Sequence, residues 1–82
     1  MKWIDDNIEC RVIGLTLNDD DEATFTIRCV ENEVVAVYRL DLTTMVIVRS
    51  GSKLELVYAH HVAAIMSRFH ELQELKATIF EA

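Results

Sequence analysis

The sequence predicts an α+β fold: an antiparallel β-meander of four or five strands over about residues 8–58, with one C-terminal amphipathic helix (about residues 60–80) packed on the sheet. Three observations carry this prediction. Apolar and polar residues alternate in the first two-thirds of the chain, apolar residues recur every three or four positions in the last third, and turn-forming residues separate the alternating runs. We expect residues 1–82 to form a single domain, because 82 residues leave little room for a second core.

Four segments have the composition of strands. Ile8–Leu17 and Thr43–Arg49 are rich in β-branched and aliphatic residues. Ala23–Cys29 alternates strictly, which is typical of a strand with one buried face. Val34–Leu42 is apolar on both faces, which favours a central, covered position. Gly14 interrupts the first segment and indicates a β-bulge or a close backbone approach.

Ala23–Cys29 and Val34–Leu42 would form a hairpin, and its turn predicts which residues pair across it. Asn tolerates a left-handed backbone conformation, so residues 31–32 are the predicted two-residue loop. Cys29 would then face Val34, and Phe25 would face Tyr38. A slip of one residue would send each apolar set to the wrong side of the sheet, so the pattern favours this pairing.

A loop over residues 18–22 sets the register of the preceding hairpin. Counting back from that loop places Val12 opposite Arg28. The same count predicts that Cys10 and Cys29 lie on opposite faces of the sheet, where they could not form a disulfide. Two unpaired cysteines of this kind fit an intracellular protein.

The segment before the helix is ambiguous. Lys53–Tyr58 alternates like the return strand of a hairpin. Ser52 followed by Glu55 also matches a capping box, which would start a helix at Lys53. We favour the strand, because a helix from there to the C-terminus would be about 45 Å long and could not be covered by so small a domain without a partner.

From His60 onward the helical pattern is regular, with a stripe of apolar side chains on one face. Core packing against the sheet is the first interpretation of this stripe, and a docking face for a second copy of the chain is the alternative. The stripe consists of Val62, Ile65, Met66, Phe69, Leu72, Leu75, Ile79 and Phe80, and Val62, Ile65, Phe69 and Leu72 are the candidates for an oligomer or docking face.

The net charge of −6 is placed unevenly along the chain. Residues 1–33 carry nine acidic and three basic residues, whereas residues 34–82 carry five of each. An acidic field disfavours direct contact with nucleic acid or an anionic membrane and favours a protein partner with a basic surface. The alternative is that the acids serve only solubility.

None of the patterns associated with catalysis, metals or cofactors is present. His60, His61 and His70 lack the i, i+4 spacing of a helical metal site, and we interpret the first two as a surface pair near a helix start. The acidic run at 19–22 lacks the glycine and the twelfth-position Glu of a calcium loop. We therefore predict no enzyme activity, no metal and no cofactor.

The sequence thus predicts a small, acidic, non-enzymatic protein-interaction module of the cytoplasm, acting as an inhibitor or an adaptor. Its partner-binding residues would be the acidic hairpin tip, Asp19, Asp20, Asp21 and Glu22, facing a basic protein surface. A phage or mobile-element origin, with mimicry of nucleic-acid charge, would fit such a protein. The alternative is a structural or assembly subunit that forms a homo-oligomer, in the simplest case a homodimer, through its helix or a sheet edge.

Overall fold

Five antiparallel strands are followed by two helices in the computed structural model, which describes residues 1–17, 22–51 and 57–81. The strands lie in the sheet in chain order, so the topology is a meander. The elements are β1 Lys2–Asp5, β2 Ile8–Leu17, β3 Ala23–Glu31, β4 Val34–Asp41, β5 Val46–Arg49, α1 Ala59–Met66 and α2 Phe69–Glu81. The predicted α+β fold is confirmed, with one strand added at the start and two helices instead of one.

The added strand β1 pairs with β2 through a tight turn. Asp6 and Asn7 both have positive φ, 48° and 66°. That is the sign pattern of a type I′ turn, whose twist matches that of the two strands it joins. The strand prediction began at Ile8 and missed β1, although Asp-Asn after an alternating run is a hairpin signal.

The register predicted for the β3–β4 hairpin is wrong by two residues. Its loop is Asn32–Glu33, with φ 55° at Asn32, so Phe25 pairs with Leu40. The predicted loop lay one residue earlier. Moving both ends of a two-residue loop by one position shifts the pairing by two, which leaves every side chain on its predicted face.

A β-bulge in β2 overturns the prediction for the cysteines. The register of the β2–β3 pair shifts between Val12 and Gly14, as the glycine indicated. Beyond the bulge, Val12 pairs with Ile27 instead of Arg28, and Cys10 pairs with Cys29. The two cysteines therefore lie on the same face of the sheet, because the extra residue reverses the facing of everything before it.

The turn between β4 and β5 is held by an aspartate. The Asp41 carboxylate accepts hydrogen bonds from the backbone N–H groups of Thr43 and Thr44, at 2.8 and 3.3 Å. Met45 follows with φ 58°. Residues 43–45 are consequently part of the turn, and the strand predicted from Thr43 begins at Val46.

A continuous helix from Lys53 is ruled out by the backbone of Tyr58. That residue is extended, with φ −78° and ψ 123°, and α1 begins after it at Ala59. Val57 and Tyr58 are not part of a strand. The rest of the strand predicted over 53–58 lies outside the described residues.

The predicted single helix is divided at Ser67 and Arg68. The Ser67 hydroxyl donates a hydrogen bond to the Ala64 carbonyl at 2.7 Å, and the Arg68 N–H bonds to Ile65 in a tighter turn. A serine hydroxyl that bonds back to the preceding turn competes with the helix ladder and bends it. Neither helix, within the described ranges, is long and apolar enough to cross a membrane.

Both helices contribute to a core on one face of the sheet, here called the inner face. The Trp3 indole N–H donates to the Ala64 carbonyl at 2.9 Å and ties β1 to α1. Packing of the C-terminal helical region on the sheet is thus confirmed. The core contains Trp3, Ile8, Cys10, Phe25, Ile27, Cys29, Ala36, Tyr38, Leu40 and Leu42 from the strands and their turns, with Ala64, Ile65 and Leu72 from the helices.

Candidate functional site

The opposite, outer face of the sheet is not covered by either helix. Along each strand its side chains alternate with those of the core. Several are large, aliphatic and exposed: Ile4 67%, Val35 45%, Val46 51% and Val48 41%. Exposed aliphatic residues on one open sheet face are typical of a surface that a partner covers.

The outer face also carries four basic side chains. Lys2 pairs with Arg11, and Arg11 with Arg28, so three cations stand side by side on β1, β2 and β3. Arg39 lies on the same face of β4, and Glu9 and Asp41 are the acidic residues there. Within the described ranges, none of the four bases has an ion pair. Like charges directly opposite each other destabilise a sheet, so this row is not explained by folding.

Most of the described acidic residues in the first third of the chain lie at the hairpin turns and not on the outer face. Asp5 and Asp6 lie at the β1–β2 turn, and Glu31 and Glu33 lie at the β3–β4 turn, at the same end of the sheet. The acidic residues are concentrated in the first third of the chain, but the sequence does not show where they lie on the surface. The fold places most of the described ones at the turns, whereas the bases of the same segment lie on the outer face.

The predicted partner-binding residues are only partly placed. Asp19, Asp20 and Asp21 lie outside the described residues, and Glu22 is half-buried immediately before β3. Among the docking-face candidates, Ile65 and Leu72 are fully buried in this chain's own core. Val62 and Phe69 are partly exposed, and a role for them in self-association stays a prediction.

A second cluster joins the tip of the β3–β4 hairpin to the start of α1. The Glu31 carboxylate lies 2.6 Å from His60 Nε2 and 3.3 Å from His61 Nε2. His61 is completely buried, and its Nδ1 lies 2.8 Å from the Tyr38 hydroxyl. The interpretation of His60 and His61 as a surface pair is therefore wrong for His61.

The electrostatics of this cluster follow from those contacts. Hydrogen bonding to His60, and secondarily to His61, holds the pKa of the Glu31 carboxyl below its ordinary value. Burial raises the pKa of the Tyr38 phenol, whose oxygen also accepts the Tyr58 backbone N–H at 3.4 Å. The Arg49 guanidinium lies over the Tyr38 and Tyr58 rings.

Sequence spacing could not have revealed this cluster. Glu31 stands 29 residues before His60 and is brought to it by the hairpin turn and the helix start. The one usable signal is the His60-His61 pair itself, since a histidine on the buried side of a helix needs polar partners.

The two cysteines face each other inside the core. Their sulfurs are 3.7 Å apart, both thiols are free, and both side chains are buried. Burial raises the pKa of both thiols, so neither Cys10 nor Cys29 resembles an activated nucleophile.

Comparisons of the chain with protein-family models, with curated proteins and with solved structures found no match. The outer face of the sheet and the cluster of Glu31, His60 and His61 are therefore the two candidate sites.

Proposed function

We propose that this protein is a small, non-enzymatic interaction module that binds an acidic surface of a protein partner through the outer face of its sheet. One observation supports this most: Lys2, Arg11 and Arg28 stand in a row on an uncovered face. The row is flanked by exposed aliphatic side chains, which would supply affinity while the charges supply orientation and association rate. An inhibitor or an adaptor would act in this way.

A second copy of the chain is a poor occupant for this face. In a two-fold symmetric interface the same patch meets itself. The outer face carries more bases than acids, so a copy would bring cations against cations. A different protein with an acidic, partly aliphatic surface satisfies both the charges and the apolar side chains.

Nucleic acid is also a poor occupant. Sheets that bind single strands stack bases on aromatic side chains, and the outer-face positions on β1–β5 carry none. A cytoplasmic location belongs to this proposal, because free buried thiols suit a reducing compartment.

The test is capture and cross-linking of the partner from the organism that encodes the chain. A zero-length carbodiimide joins amines to carboxylates, so we expect Lys2 to be linked to an Asp or Glu of the captured protein. Arg28→Glu should abolish capture. That change also places a carboxylate opposite Arg11, which favours the folded sheet, so loss of capture would not reflect unfolding.

Arg68→Glu is the matched control. Arg68 is exposed in the connection between the two helices, where it pairs with Glu71 and not with an outer-face residue, and the change in charge is identical. Capture that survives Arg28→Glu, or that is lost equally in Arg68→Glu, would contradict the proposal.

The acidic tip remains a second candidate, supported by the concentration of acid in residues 1–33. Under it, Asp19, Asp20, Asp21 and Glu22 would steer a basic partner. Reversal of these four charges should slow association and flatten its dependence on salt, as measured by stopped-flow binding. Unchanged kinetics would remove the tip from the mechanism.

The homo-oligomer alternative is decided by sedimentation velocity. If the protein binds a partner through its outer face, we expect it to sediment as a monomer of 9.4 kDa. If it is a subunit of an assembly, we expect a stable dimer or ring.

A further inference from the structure

The cluster at the start of α1 brings three metal-ligating side chains to one point. The nearest ligand atoms of Glu31, His60 and His61 all lie within 4.8 Å of one another. They come from two parts of the chain, and the hairpin turn and the first turn of α1 fix their approach. Two imidazoles and one carboxylate, with further positions left open, are a recurrent donor set for first-row divalent metals.

Tyr38 supplies a hydrogen-bond partner for the ring nitrogen of His61 that would not bind the metal. Its hydroxyl lies 2.8 Å from His61 Nδ1 and also accepts the Tyr58 backbone N–H. Without a metal, the His61 Nε2–H donates to the Glu31 carboxylate. In the other tautomer Nδ1–H donates to Tyr38, and the Nε2 lone pair is then free to coordinate an ion placed between His61 and Glu31. Metal-bound histidines almost always donate their second ring N–H to such an acceptor, which fixes the tautomer and the ring.

We propose that Glu31, His60 and His61 form a binding site for a divalent metal ion of the Zn²⁺ type, with Tyr38 as the positioning residue. Glu31 supplies a carboxylate oxygen and each histidine supplies Nε2. The fourth position is open to solvent, because the His60 side chain is half-exposed and that of Glu31 is about one-third exposed. This site is independent of the proposed partner surface on the outer face.

A rearrangement of the exposed side chains is needed to admit the ion. Tetrahedral ligands about 2.0–2.1 Å from zinc lie about 3.3 Å from one another. The Glu31–His61 separation is already 3.3 Å, and the Glu31–His60 contact of 2.6 Å must widen by about 0.7 Å. The ligand atoms of His60 and His61 lie within 4.8 Å of each other and must come to the same separation of about 3.3 Å. Rotation of the half-exposed His60 side chain can provide this.

The competing explanation is a purely hydrogen-bonded cluster. Glu31 and Tyr38 by themselves satisfy both ring nitrogens of the buried His61. That role requires nothing of His60, since an exposed imidazole can bond to water. The importance of His60 for metal binding therefore separates the two explanations.

The test is titration of the untagged, chelator-treated protein with Zn²⁺ by calorimetry, and with Co²⁺ by visible absorption. We expect one ion per chain and the strong absorption of four-coordinate Co²⁺. His60→Ala and Glu31→Gln should each weaken binding about tenfold or more, whereas His70→Ala, an exposed histidine on α2, should leave it unchanged. Tyr38→Phe should weaken binding and alter the Co²⁺ spectrum, which a general loss of stability would not do.

Three results would overturn the proposal: no stoichiometric binding, equal binding in His60→Ala, or loss of binding on replacing Cys10 and Cys29 instead. Circular dichroism of each variant identifies any that fails to fold. His60 and His70 are both exposed, so their pair of variants keeps the comparison valid even if the buried positions do not tolerate substitution.

Discussion

Both faces of the sheet carry large apolar side chains, but these are buried on the inner face and exposed on the outer face. The inner face packs Phe25, Ile27 and Leu40 against the helices and leaves them without solvent exposure. The outer face presents valines and an isoleucine with roughly half their surface in water. Because 51% of the residues are hydrophobic, the single covered face of a domain this small cannot hide them all.

The polar groups differ between the faces in the same way. On the inner face, the buried His61 ring has Tyr38 on one nitrogen and Glu31 on the other. On the outer face, Lys2, Arg11 and Arg28 repel one another without an ion pair to any described residue. The inner face is thus arranged for stability, and the outer face is arranged at some cost to it.

The largest contrast is expected from truncating one apolar side chain on each face. Phe25→Ala removes a fully buried ring and should lower the free energy of unfolding by about 3–5 kcal/mol. Val35→Ala, at a side chain 45% exposed, should cost less than about 1 kcal/mol. Urea denaturation measures both. Similar losses at the two positions would mean that the outer face is covered.

The next effect concerns the buried polar network. Tyr38→Phe removes the hydroxyl that satisfies His61 Nδ1, and a buried group left unsatisfied costs about 1–3 kcal/mol. Tyr58→Phe is the matched control, because that side chain is exposed and should change the free energy of unfolding little. Equal effects of the two substitutions would show that the Tyr38–His61 contact does not contribute.

A pH dependence follows from Glu31. Its folded pKa is lowered by His60 and His61, so its contribution to stability is present above the unfolded pKa of about 4.3 and is lost as the pH falls through the folded pKa. Glu31→Gln should therefore reduce the loss of unfolding free energy between about pH 6 and pH 3. Glu33→Gln, at the same turn, is the control. Identical profiles for the two variants would contradict the role of the histidines.

The smallest effect has the opposite sign. Arg11→Thr removes a cation from between Lys2 and Arg28 and places a good strand former there. We expect the free energy of unfolding to rise by about 0.2–1 kcal/mol, measured by urea denaturation, while partner capture weakens. A stabilised variant that still captures the partner as well as the unaltered chain would show that Arg11 is not needed for partner binding.

The fold could be predicted because both periodicities are local. Alternation along Ala23–Cys29 and the apolar stripe from Val62 onward report directly which side of each element is buried. Register was harder. Gly14 indicated a bulge, but its effect on Cys10 appears only when the extra residue is carried through the pairing, and the turn at Asn32 could be placed one position either way.

The candidate sites could not be predicted for a related reason. Lys2, Arg11 and Arg28 form a row only if β1 exists and the bulge is counted, since without the bulge Arg11 would point inward. Glu31 meets His60 and His61 only through tertiary packing. The spacing of these residues along the chain therefore predicts neither the row of cations nor the contact of Glu31 with the two histidines.

The most direct test of the partner surface is the affinity of the captured partner for two charge-reversed variants, measured by calorimetry at two salt concentrations. We predict that Arg28→Glu weakens binding at least about tenfold and removes most of the salt dependence, whereas Arg68→Glu binds as the unaltered chain does. Equal affinities for the two variants would contradict the assignment of the outer face as the surface that binds the partner.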